Sequence, residues 1–152
     1  NGINIAEIGI LMGTGLAIWS DIFINGSVFG FDIDLSNYNN NYNNLKDKGA
    51  FTNNNVNVFN FDQYDDNSNY LNKINSDKFD IVIDDGIHDY QSVLSTLDSF
   101  MPNLNDNFIY FIEDVPNEYI PDIEEFHKLV KKKYPYLLIY YENQISVLTR
   151  KK

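Results

Sequence analysis

The chain has 152 residues, enough for one domain with a substantial core, since a chain near that length buries roughly 70% of its unfolded surface. Apolar residues make up 43% and aromatics 15%, a globular composition that excludes a disordered tail. Twenty-two acidic against 11 basic side chains leave a net charge of −11, which repels phosphate backbones and anionic bilayers and argues against nucleic acid or a membrane as partner. The absence of cysteine excludes disulfides, thiol catalysis and cysteine–zinc sites, and a cytoplasmic setting is expected. No apolar run approaches the roughly 18 residues of a membrane span. The sequence opens on Asn1, one or two residues before a strand pattern, so 1–152 reads as a single domain of a longer protein, with flanking domains expected.

Strand signals recur along the chain at intervals that leave room for helices. Ile3–Ile8 is apolar and stops at Gly9, and a helix is expected over Gly15–Phe23. Ser27–Phe31 runs into Asp32 and Asp34. Asparagine, 23 residues in all, concentrates at 36–44 and 53–57. Such runs form no core and sit in loops or on the surface of a helix. Val56–Phe61 alternates and ends at Asp62, and Phe79–Ile83 is closed by Asp84-Asp85-Gly86. Tyr90–Phe100 places Val93, Leu94, Leu97 and Phe100 on one helical face before Pro102. Phe108–Ile112 ends at Glu113-Asp114. Ile120–Lys133 reads as a helix closed by three lysines, which suit the negative end of its dipole. Leu137–Tyr141 and Ile145–Leu148 face each other across a turn as antiparallel partners. This alternation predicts an α/β domain, a doubly wound, mostly parallel sheet with an antiparallel last strand.

In open α/β sheets ligands bind beyond the carboxyl ends of the strands, and here most strands end there on a polar residue. Glycines 9, 13 and 15 form a GxxxGxG turn, which differs from the GxGxxG of dinucleotide-binding folds and lacks a Walker lysine. That spacing disfavours a nicotinamide-dependent reductase. A carboxylate at Asp32 suits the two hydroxyls of a ribose, and Asp62-Gln63 suits an adenine edge. Together these three strand ends point to a nucleoside-type cofactor. Asp84, Asp85, Glu113 and Asp114 are the carboxylates of the fourth and fifth strand ends. Asp84 reads as a turn or capping acid, whereas Asp85, Glu113 and Asp114 read as oxygen ligands for a hard cation such as Mg²⁺. His88 is the one histidine near a strand end, and an imidazole, with its ordinary pKa near 6.5, suits a general base for a hydroxyl proton. His127 reads as a surface residue.

These motifs resemble the class I S-adenosylmethionine-dependent methyltransferases, in particular the macrolide-sugar O-methyltransferases and the cephalosporin-hydroxylase-like proteins. The likeness rests on Glu7-Ile-Gly9 with Gly13, Leu16 and Trp19, on Gly30-Phe-Asp-Ile-Asp34, on Asp62-Gln63, on Ile83-Asp-Asp-Gly-Ile-His88, on Phe111-Ile-Glu-Asp-Val115 and on Ile145–Arg150. The resemblance implies a Rossmann-like methyltransferase fold, with S-adenosylmethionine bound by Glu7, Gly9, Gly13, Asp32, Asp62 and Gln63. It further implies Mg²⁺ on Asp85, Glu113 and Asp114, and His88 as base toward a hydroxyl of a sugar, as a small molecule or within a glycan. The family usually carries Ser at the position of Ile87 and a small polar residue at that of Gly15. The competing expectation is a non-catalytic cofactor-binding or structural module of the same fold. Methylation of nitrogen and assembly into a homo-oligomer stay open at this level.

Overall fold

The structure is a computed structural model that describes residues 2–75 and 77–151. Seven strands form one sheet: β1 (Asn4–Ile8), β2 (Ser27–Asp32), β3 (Val56–Asn60), β4 (Phe79–Asp84), β5 (Leu104–Ile112), β6 (Leu137–Glu142) and β7 (Ile145–Arg150). Their order is β3-β2-β1-β4-β5-β7-β6. The first five pair in parallel, and β7 runs antiparallel between β5 and β6. The β6–β7 hairpin turns at Asn143 and Gln144, both at positive φ (49° and 66°), the left-handed pair that a tight two-residue connection requires.

The helices are α1 (Thr14–Ile22), α2 (Ser36–Asp47), α3 (Ser68–Ile74), α4 (Tyr90–Phe100) and α5 (Ile123–Lys133), with a 3-10 turn at Met101–Asn103. Two apolar cores, one on each face of the sheet, follow from the alternation of strand side chains. One joins Ile8, Phe29, Phe31, Phe79, Val82, Phe108, Tyr110 and Ile112 to Leu71 of α3, Val93, Leu97 and Phe100 of α4, and Phe126 and Val130 of α5. The other joins Ile5, Val28 and Ile83 to Leu16 of α1 and Tyr38 of α2. Both cores being present explains why the central strands read as continuous apolar runs.

Two helices lack a strong sequence signal. The asparagine-rich stretch 36–44 is most of α2, where Tyr38, Tyr42 and Leu45 supply the apolar stripe and the asparagines lie largely outward. Asn41 is the exception: buried beneath the helix, it donates through Nδ2 to the Met12 carbonyl at 2.9 Å. The short α3 has one fully buried side chain, Leu71, too few to show a period. The last helix begins at Ile123 rather than Ile120, because Asp122 caps it by accepting from the Glu125 N–H and Pro121 precedes the cap. Ile120, outside the helix, is nevertheless fully buried. No helix among the described residues is long and apolar enough to cross a membrane.

Candidate functional site

The order of strands reverses at β1, which lies between β2 and β4, and a crevice opens beyond their carboxyl ends. A cleft of about 390 Å³ occupies that position, lined by Ile8, Gly9, Leu11, Asp32 and Ile33 together with Gln63, Asp85, Gly86 and Ile87. Residues as far apart in sequence as Ile8 and Ile87 thus line one cleft.

The glycine turn determines how closely these segments approach. Gly9 has φ +84°, and a Cβ there would stand 2.0 Å from the Asp85 carbonyl oxygen, so the end of β1 touches the backbone that follows β4. Gly13, the N-cap of α1, has φ +75° and lies against the Tyr38 ring. Gly15 is needed for space: a Cβ would fall 2.0 Å from Glu7 Oε1. The Glu7 carboxyl therefore lies under the first turn of α1, almost fully buried, with the Trp19 Nε1–H beside it but no hydrogen bond of good geometry to Oε2. Burial, then repulsion from Asp85 and Glu113, raises its pKa to about 7, with the neighbouring Trp19 opposing.

On the β2 side, Asp32 accepts from the Leu11 N–H at 3.0 Å through Oδ2 and from the Asp34 N–H at 3.1 Å through Oδ1. It faces the cleft while fixing the glycine turn. Asp62 accepts from the Tyr64 N–H at 2.9 Å. Gln63 is buried, and its carboxamide is spent within the protein. Its Nε2 donates to Asp84 Oδ1 (2.9 Å) and Thr96 Oγ1 (3.0 Å), and its Oε1 accepts from the Ile87 N–H (2.8 Å). The polar adenine contact expected of Gln63 is thus replaced by internal hydrogen bonds, although the residue does line the cleft.

Asp84 is a structural acid, but of a different kind from a solvated turn residue. It is fully buried, accepts from Gln63 and from the Tyr110 hydroxyl, and has a pKa raised to about 7 by desolvation against the lowering effect of those bonds. Asp85, the next residue, lines the cleft and is half-buried beside His88, with Oδ1 3.5 Å from His88 Nε2. Asp85, His88 and Asp114 each bring a ligand atom within 4.8 Å of the others. Glu113 stands outside that trio but close enough that Asp85 and Asp114 raise its pKa, after desolvation. Asp85 is raised by burial and by Asp114, with His88 opposing. His88 Nδ1 is buried without a partner. Both His88 and Asp114 adopt left-handed backbone conformations (φ 57° and 52°).

One residue of this site escaped the sequence. Asn117 donates through Nδ2 to the carbonyls of His88 (3.0 Å) and Asp114 (2.7 Å), while its Oδ1 accepts from the N–H groups of Tyr119 and Ile120. It ties together the loops after β4 and β5. Its position just past a Pro in a post-strand loop is a turn signal, but one hidden among 23 asparagines. His127, read as a surface residue, is half-buried and pairs with the buried Ser146 hydroxyl at 2.9 Å.

Strand order, the reversed last strand and the position of the cleft together define the Rossmann-like fold of the S-adenosylmethionine-dependent methyltransferases, and solved structures with this fold match the chain almost end to end. Among them is MycE, a methyltransferase of the mycinamycin biosynthetic pathway in complex with Mg and SAH. It is 20% identical, with a TM-score of 0.71 over 99% of this chain and 45% of that one. The complex of MycE with Mg, SAH and mycinamycin VI gives 21% and 0.74 over 100% and 45%. A putative caffeoyl-CoA O-methyltransferase from Staphylococcus aureus gives 14% and 0.73 over 99% and 77%. The chain thus spans under half the length of MycE. No protein-family model and no curated protein sequence matches it.

Proposed function

We propose that this domain methylates a hydroxyl oxygen, using S-adenosylmethionine as donor and Mg²⁺ as aid, and that the acceptor is a sugar, free or within a glycan. The observation that carries this reading is the convergence of Asp85, His88 and Asp114, with Asp85 also lining the cleft that Gly9 and Asp32 line. The fold of MycE, whose structures contain Mg and SAH, supports it.

The residues present fit both groups. Asp32 offers a carboxylate to a ribose, and Gly9 and Gly13 present bare backbone at the two ends of the turn. The buried, unpartnered Glu7 Oε2 fits the cationic end of a methionine moiety. Asp62 stands at the end of β3, where an adenine edge would lie, with Gln63 contributing wall rather than hydrogen bonds. Asp85 and Asp114, with Glu113 beside them, fit a hard cation, because a positive charge offsets the burial and, after it, the repulsion from neighbouring carboxylates that raise Asp85 and Glu113. When bound, the donor supplies an electrophilic methyl group and the cation stabilises negative charge on the acceptor oxygen. The chain's own task is to orient the hydroxyl and take its proton, which falls to His88, held by Asn117 through its backbone carbonyl.

The close grouping of His88 with Asp85 and Asp114 favours a second role for it, as a ligand to the cation rather than a base. His88→Ala separates the two: loss of ion binding marks a ligand, and loss of turnover with ion binding intact marks the base. The acceptor, the expected flanking domains and a cytoplasmic setting belong to this proposal as well. Calorimetric titration with S-adenosylhomocysteine, with and without Mg²⁺, tests it. Binding of both supports the reading, and absence of both from a chain extended at either end would leave a non-catalytic module of this fold.

A further inference from the structure

We infer that Gln63 is a positioning residue: from the end of β3 it holds the loop Asp85–His88, which carries the proposed cation and acceptor groups, in place from within. At its two ends the loop has other supports: the Asp85 N–H donates to the Ile8 carbonyl at 3.0 Å, the His88 carbonyl accepts from Asn117 Nδ2 at 3.0 Å, and Asp89 is the N-cap of α4. Between Asp85 and His88, the Ile87 N–H donates to Gln63 Oε1 at 2.8 Å. The other end of the same carboxamide is fixed by its two hydrogen bonds, to Asp84 at the end of β4 and to Thr96 in α4. Thr96 in turn donates to the Ser92 carbonyl at 2.8 Å, so its hydroxyl proton is committed and it meets Gln63 only as an acceptor. The orientation of the amide is therefore not interchangeable. Nε2 must face the two acceptors, which leaves Oε1 for the loop.

Gly86 completes the arrangement. A Cβ at that position would lie 2.0 Å from Gln63 Oε1 and 2.6 Å from Cδ, so the carbonyl occupies the space that any side chain at residue 86 would take. Residues 63 and 86 thus fit as a pair, a full-length amide against a missing side chain. Gln63 lines the same cleft as Asp32 and Asp85, so its bond to the loop acts at the site itself. The purpose assigned to the loop rests on the function proposed above, but the hydrogen bond and its effect on the loop do not.

The test is amide hydrogen exchange by NMR on the 152-residue chain, with Mg²⁺ affinity by titration as second readout. In the wild type the Ile87 amide should exchange slowly for a loop residue. Gln63→Met keeps the volume and removes all three bonds. Gly86→Ala keeps Gln63 but displaces its carbonyl. Both should speed exchange at Ile87 at least about tenfold, the loss of roughly one net hydrogen bond, and weaken Mg²⁺ by a similar factor. Leu137→Ala, in the core at the start of β6 away from the cleft, is the control for mere destabilisation, since it touches neither Gln63 nor the loop; it should leave Ile87 exchange and Mg²⁺ affinity within about twofold under conditions where the domain stays folded. An unprotected Ile87 amide in the wild type overturns the inference even if no variant folds. So does equal acceleration in the Leu137 variant. If the wild type binds no Mg²⁺, the ion reading fails, and the exchange data alone decide the role of Gln63.

Discussion

Asp84→Asn tests the electrostatics of the site floor directly. The wild-type carboxyl is fully buried with its pKa raised from 3.8 to about 7. An acid whose folded pKa lies above its unfolded one contributes stability that is complete below the unfolded value and is lost as pH rises through the folded value. The window is therefore about pH 4 to 7, and above it the charged Asp84 carries a constant penalty. About three pKa units at roughly 1.4 kcal/mol each set the ceiling of that penalty near 4 kcal/mol. Asparagine abolishes the titration and keeps the geometry. Its Oδ1 can still accept from Gln63, and its Nδ2 can donate to the Tyr110 hydroxyl, 3.2 Å from the oxygen it replaces. We expect urea denaturation in the presence of a chelator to give variant and wild type within about 1 kcal/mol of each other at pH 4.5. At pH 8 the variant should be the more stable by about 2 to 4 kcal/mol. A difference that stays constant from pH 4.5 to 8, or shrinks as pH rises, would refute the account of Asp84 as a desolvated acid.

Four further outcomes follow from the geometry. Gly9→Ala combines a left-handed backbone with a Cβ 2.0 Å from the Asp85 carbonyl oxygen, backbone against backbone, and should destabilise the domain by at least about 2 kcal/mol in thermal unfolding. Gly15→Ala should destabilise the wild type, where the new Cβ meets the buried Glu7 carboxyl, yet stabilise a Glu7→Ala background by about 1 kcal/mol, the helix-propensity gain. The same sign in both backgrounds would show that Glu7 is not what keeps residue 15 small. Asp85→Asn should weaken Mg²⁺ by about tenfold or more while changing S-adenosylhomocysteine affinity only a few-fold, and His88→Ala, if it acts as base, should lower turnover by roughly 10² to 10⁴. Equal loss of both ligands in Asp85→Asn would remove it from the ion site.

What the sequence by itself determined was local: which stretches are strands, which strand ends carry glycine or carboxylate, and that the last two strands form a hairpin. These depend on side-chain period and turn chemistry, and they read correctly because each is set within a few residues. Asparagine-rich 36–44 stayed undecided between loop and helix surface for the same reason. Its helix is held by three apolar residues against the second core, a stabilisation that composition does not record. Only the tertiary structure decided which strand ends meet. Placing β1 between β2 and β4 brings Gly9 against Asp85, and pairing β4 with β5 brings His88 and Asp114 together under Asn117. The use of Gln63 was decided in the same way. A carboxamide at a strand end can face a ligand or the protein, and the choice was made by Asp84, Thr96 and Ile87, all more than 20 residues away in sequence. Hydrogen bonds of that kind depend on sheet order, which no local pattern encodes.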